Sequence, residues 1–129
     1  VPKFRAWDKE NDRMVYPSTE DVCFELDDDG INIFDLWGEY PEDHAFPLLD
    51  SVLMQSTGLK DKNGVEIFEG DIVAIKYSES GYHYYEKIVF ENGTFTAGDE
   101  DWLYNIKDYC VVCGNIYENP ELLEPANEN

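Results

Sequence analysis

The sequence predicts a mainly β protein of small antiparallel sheets and hairpins, with an SH3-like barrel in its C-terminal half. Three observations carry that prediction. Glycine-bearing turn signals recur at Asp27-Asp28-Asp29-Gly30, Asp61-Lys62-Asn63-Gly64 and Asn92-Gly93. The stretches between them are short and rich in β-branched and aromatic residues. In residues 72–77, Val73, Ile75 and Tyr77 alternate with Ala74 and Lys76, the period of a half-buried strand.

The chain is organised around residues 57–77, TGLKDKNGVEIFEGDIVAIKY. Asn63-Gly64 supplies two residues that tolerate positive φ, so a type I′ hairpin turn is expected there. An apolar approach from Leu53-Met54 ends at Leu59. Val65, Ile67 and Phe68 follow the turn, Glu69-Gly70-Asp71 breaks the run, and the longer strand resumes at Ile72. A turn, a short strand, a Gly-Asp break and a longer strand begin many small SH3-like barrels. That is a fold analogy and carries no function.

Taken in order, residues 3–7 read as a short strand, residues 8–12 as a polar turn, and Met14-Val15-Tyr16 as a return strand. The Asp-Lys, Asn, apolar-pair pattern recurs at Asp61-Lys62-Asn63, which turn chemistry alone explains. Residues 22–26 and 31–34 form a second hairpin across Asp27-Asp28-Asp29-Gly30. Residues 35–47, broken by Gly38, Pro41 and Pro47, read as irregular. Residues 48–54 fit helix or strand, and their strand neighbours favour strand. Residues 82–90 run back from a break at 78–81, and Asn92-Gly93 turns the chain into Thr94-Phe95-Thr96. Residues 109–116 form a β-rich run. Asn119-Pro120-Glu121-Leu122-Leu123 reads as one helical turn, with Asn119 as its cap and Pro120 first. Trp7, Trp37 and Trp102 read as core or subdomain contacts. The expected organisation is a β-hairpin subdomain over 1–50, an SH3-like barrel over 51–124 and a flexible tail over 125–129.

Four blocks carry a resemblance to a family. They are residues 3–8 (KFRAWD), Met54-Gln55 with residues 57–64 (TGLKDKNG), Glu66-Ile67 with residues 69–73 (EGDIV), and residues 114–123 (GNIYENPELL). In these blocks and their order the chain resembles the YopX family of phage and prophage proteins. Residues 27–47 and 78–102 carry no part of the resemblance. It implies a small, mainly β, phage-encoded protein and assigns no biochemical activity.

The 129 residues suffice for one domain or two packed subdomains. At 43% hydrophobic and 15% aromatic the chain should fold despite its charge. Against 29 Asp and Glu stand 9 Lys and Arg, a net charge of −20. That field repels nucleic-acid phosphate and anionic membrane, so direct binding to either is not expected. A basic partner protein, cations or simple solubility remain as its uses. No apolar run is long enough to cross a bilayer, the first residues are not a secretory signal, and three cysteines do not make a disulfide scaffold. Cytoplasm is the expected compartment.

The chemistry-bearing motifs are few, and no cofactor, metal or catalytic residue is expected. Cys110-Val111-Val112-Cys113 has redox or metal spacing, but a strand sends residues three apart to opposite faces. Free, buried or half-buried cysteines are expected. An EF-hand reading of residues 27–30 would require a ligand oxygen at Leu36, which has none, so a solvated turn is expected. His44 and His83 read as surface residues, without a nucleophile elbow or an HExxH pattern. No phosphate-cradling loop occurs.

The candidate interaction patch is Tyr82, His83, Tyr84 and Tyr85. It is either a recognition surface, since tyrosine gives contact area at low entropic cost, or a pair of tyrosine faces on one hairpin. Three functions follow. The leading one is a non-enzymatic accessory protein acting through a protein partner or as a homo-oligomer. The others are an acidic DNA mimic that occupies a host protein's basic cleft, and an enzyme with an unfamiliar, metal-assisted site.

Overall fold

The computed structural model describes residues 3–36, 45–48, 50–77, 81, 83–99 and 101–124. It is mainly β, and it divides into two compact units, Lys3–Met54 and Gln55–Asn129.

In the first unit β1 (Phe4–Asp8) pairs antiparallel with β2 (Arg13–Val15), and Ala6 faces Val15 across the pair. Asp8 makes that hairpin. Its carboxylate is fully buried and accepts the backbone N–H of Glu10 at 3.1 Å, Asn11 Nδ2 at 2.8 Å and Arg13 Nε at 3.0 Å. Burial alone would raise the Asp8 pKa, but the hydrogen bonds from Asn11 and Arg13 outweigh it and hold the carboxyl below its usual range. β3 (Val22–Asp27), β4 (Gly30–Leu36) and β5 (Ala45–Pro47) form a three-stranded sheet in that order. At the β3–β4 turn Asp27 accepts the N–H of Asp29 at 2.8 Å and Asn32 Nδ2 at 2.6 Å, and Gly30 takes the positive φ of 121°. Ala6, Val15, Val22, Ile33 and Leu48 form this unit's core, with Phe24 and Ile31 packed on it.

The segment 35–47 is not irregular at its ends. Asp35 and Leu36 continue β4, and Ala45–Pro47 pairs with them. Pro47 is tolerated because β5 is an edge strand, where a missing N–H costs no ladder bond.

β6 (Ser51–Lys60) leads from the first unit into the second and pairs there with β7 (Glu66–Phe68). A five-stranded antiparallel sheet follows, in the order β11 (Asp101–Trp102), β10 (Thr94–Ala97), β9 (Tyr84–Glu91), β8 (Asp71–Ile75), β12 (Cys110–Asn115). Between β11 and β12 the chain makes one helical turn, α1 (Leu103–Ile106), and a 3₁₀ turn, Lys107–Tyr109. Ile67, Val73, Ile75, Ile88, Ala97, Leu103, Ile106 and Cys110 close the core, and Leu59, Tyr84, Phe95 and Val112 pack against it.

The reversal at residues 61–64 occurs, but its turn is not type I′. Only Gly64 is left-handed, with φ 84°, and Asn63 is not. Gly64 N–H donates to the Asp61 carbonyl, and Asp61 N–H to the Val65 carbonyl. This is a type I turn followed by a glycine bulge. The Asp61 carboxylate causes it, accepting the N–H of Asn63 at 2.8 Å and of Val65 at 2.9 Å. At Asn92-Gly93 no aspartate precedes the pair, both residues take positive φ (51° and 83°), and the I′ pattern appears.

Asp61 does more than fix its own turn. Its second oxygen accepts the N–H of Val112 at 2.8 Å, and Lys62 N–H donates to the Cys110 carbonyl at 3.0 Å. β12 is the last strand of its sheet, so these bonds engage two of the outward groups of an otherwise open edge.

Asn119 does not cap the turn Pro120–Leu123 with its side chain. Its Oδ1 instead accepts the Asn115 N–H at 3.2 Å, although Pro120 does stand first in that turn. Trp7 is buried, but Trp102 is 59% exposed and is no core contact. Trp37, His44 and the tail 125–129 lie outside the described residues.

Candidate functional site

β9 carries Tyr84 and Tyr85 of the tyrosine–histidine patch in the second unit, His83 stands just before the strand, and Tyr82 lies outside the described residues. The strand's period of two divides the rest. Tyr84 turns inward against the core, while His83 and Tyr85 are exposed. Those two touch: His83 Nε2 lies 3.2 Å from the Tyr85 hydroxyl, with the rings edge to face at 5.2 Å.

Tyr84 leads to a second aromatic group. It shares a hydrogen bond with Tyr77, which raises its pKa above the ordinary tyrosine value; burial adds to this, as do the charges of Asp101 and Glu86. The Tyr77 ring packs on Tyr109, with centroids 5.2 Å apart. The corner containing α1 buries Leu103 and Ile106 and leaves Trp102, Tyr104 and Tyr109 exposed. Lys107 Nζ lies 5.4 Å from the centre of the Tyr104 ring.

Beside this group is a surface groove of about 570 Å³, lined by Tyr84, Glu86, Lys87, Gly98, Asp99 and Asp101 among others. Gly98 lies in its wall at a φ of +69°. A Cβ there would stand 2.5 Å from Glu86 Oε1. The acids outnumber the one lysine, so the groove suits positively charged groups.

The cysteine motif is divided. Cys110 is buried in the core, Cys113 is exposed at the bulge in β12, and Cys23 is half-buried; all three are free. The expectation of buried or half-buried thiols therefore fails for Cys113, which stands three residues from Cys110 on the solvent side of an edge strand. Burial, helped by Asp61 and Asp108, pushes the Cys110 thiol up to about 12. A raised pKa leaves little thiolate at pH 8, so Cys110 of the native protein should resist iodoacetamide while Cys113 is labelled. Peptide mass spectrometry after limited alkylation checks this; equal labelling of both would contradict it. The same shift implies that stability from Cys110 is present below pH ~9 and is lost as pH rises toward 12.

Among the described residues, no group of three His, Cys, Asp or Glu side chains is placed to hold a metal ion. The buried acids and amides bind main chain. Asp71 accepts the Phe68 N–H at 2.7 Å, and Asn115 Oδ1 accepts the N–H groups of Tyr117 at 3.0 Å and Glu118 at 2.9 Å. Among the described residues, no helix is long and apolar enough to cross a membrane.

Comparison with known proteins gives a family and no activity. The family model described as YopX protein matches residues 3–124. A crystal structure of protein EF1440 from Enterococcus faecalis is 36% identical, over 96% of this chain and 99% of that one, with a TM-score of 0.65. The crystal structure of protein yopX from Bacillus subtilis is 23% identical, over 95% of this chain and 98% of that one, with a TM-score of 0.66, a likeness in fold. No curated protein matches. With a family model covering residues 3–124 and a solved relative matched along nearly its whole length, this chain belongs to the YopX family.

Proposed function

We propose that this is a phage- or prophage-encoded accessory protein that acts without catalysis, by contact with a protein partner in the bacterial cytoplasm. One observation carries the reading: buried acids are spent on main-chain hydrogen bonds while large aromatic rings face solvent. Asp8, Asp61 and Asp71 hold turns, and Tyr77, Trp102, Tyr104 and Tyr109 are about half exposed or more. Exposed Trp and Tyr are the residue types that dominate binding hot spots. The phage origin rests on the family resemblance. The SH3-like description of residues 51–124 is supported by the tie from Asp61 to β12, which brings the last strand back to the corner after β6.

Self-assembly is the weaker form of the reading. β12 has two of its outward groups engaged, β11 is two residues long, and a second copy would bring another net −20. The test is in-cell cross-linking of the tagged chain in a prophage-carrying host, with mass spectrometry and nuclease treatment. A defined protein partner that survives nuclease is expected. Recovery of the chain alone, monomeric by light scattering, would contradict the reading. Capture of a nucleic-acid-binding protein through its basic cleft would favour the DNA-mimic alternative.

A further inference from the structure

We propose that the corner formed by Trp102, Tyr104, Tyr109 and Tyr77 is a docking surface for a Lys/Arg-rich segment of a partner protein. The inference rests on the protein-contact reading and adds the place and the chemistry. These four side chains are 59%, 69%, 46% and 53% exposed. At about 200 Å² per aromatic side chain they present roughly 450 Å² to water. Tyr77 and Tyr109 are in ring contact, and Trp102 and Tyr104 stand on the short segment of chain that leads to Tyr109.

The corner is also firmly mounted. Leu103 and Ile106 alternate with the exposed rings and are buried in the core of the second unit. Tyr109 is held against Tyr77, which in turn bonds Tyr84 beneath it. Rings fixed in this way lose little freedom when a partner lands on them.

Charge selects the occupant. Asp99 and Asp101 line the groove with Tyr84, and Asp101 is close enough to that tyrosine to help raise its pKa, while Asp108, paired with Lys107 at 3.4 Å, precedes Tyr109. Aromatic faces beside carboxylates suit guanidinium and ammonium groups, which stack on the ring while pairing with the acid. Lys107 beside Tyr104 is an internal instance of the same contact. Nucleic-acid bases could stack on such rings too, but their phosphates would meet these acids and a net −20. A second copy would bring the same sign of charge.

The test titrates the whole protein with a short peptide alternating Arg and Gly, at near-physiological salt, by calorimetry. Four proteins are compared: wild type, W102A/Y104A, D99N/D101N, and E25Q/D28N. The last removes the same two charges from the first unit. All exchanged side chains are partly or fully at the surface, and thermal unfolding confirms that each variant folds. The expected result is about tenfold weaker binding for W102A/Y104A and for D99N/D101N, with E25Q/D28N unchanged. Equal weakening by both charge variants with no effect of W102A/Y104A would overturn the surface and reduce the binding to diffuse electrostatics, leaving the protein-contact reading intact. No peptide binding by the wild type, or tighter binding of an oligothymidylate, would also overturn it. The cross-linking experiment judges the underlying reading separately.

Discussion

Replacing Asp61 with alanine should destabilise the second unit by about 3–5 kcal/mol and open the edge of β12 to self-association. The carboxylate is 5% exposed and accepts three main-chain N–H groups, from Asn63, Val65 and Val112. Alanine leaves those donors without their acceptor. Each net hydrogen bond to a charged group is worth about 1.5–3 kcal/mol, and water reaching the exposed turn would offset part of the loss. Asp61→Asn should cost less, about 2 kcal/mol, because the amide oxygen still serves the turn while its NH₂ faces the Val112 donor. Urea unfolding gives the free energies, and light scattering gives the association. If Asp61→Ala unfolds at the wild-type midpoint, the turn does not depend on this carboxylate.

Leu103→Ala should cost about 2–5 kcal/mol, the range for a large-to-small change in a packed core. Leu103 has no exposed surface and sits in the core cluster with Ile88, Ala97 and Ile106. Its loss leaves a cavity under the corner that carries Trp102 and Tyr104. Two readouts should therefore change together. The denaturation midpoint falls, and the tryptophan emission of the still-folded protein alters as the corner loosens. A midpoint within about 1 kcal/mol of wild type would show that α1 collapses onto the core without Leu103, and that the corner is less firmly held than its burial suggests.

The hairpins were legible because glycine, asparagine and aspartate punctuate strands for local reasons that need no tertiary partner. The turn at Asn63-Gly64 departs from the expected type I′ because of the residue two positions before the dipeptide. Asp at the first position of a turn and Gly at the fourth is the type I signature, and both Asp61–Gly64 and Asp27–Gly30 carry it. The corner at 102–109 was missed for a different reason. Leu103, Ile106 and Cys110 have helical spacing and face the core, but the run is one turn long, too short to stand out beside the strands around it. The aromatic surface could not be read at all, because a tryptophan in sequence looks the same whether buried, like Trp7, or exposed, like Trp102. The role of Asn119 depended on Asn115, whose backbone N–H it meets only in the folded chain.

The pattern of charge takes on a different meaning once these contacts are known. A net −20 suggests solubility or mimicry, yet Asp8, Asp27, Asp61 and Asp71 each accept a backbone N–H at or beside a reversal. Part of the acid excess is therefore architecture, with carboxylates binding main-chain donors that hairpin corners leave unpaired.

Amide hydrogen exchange at Val112, followed by NMR in the wild type and in Asp61→Asn, tests this most directly. Protection of Val112 comparable to the central strand β8, falling by about a hundredfold in the variant while β8 amides fall less, is the predicted result. A Val112 amide that exchanges in the wild type at the rate of an unstructured peptide would mean that Asp61 does not hold the last strand.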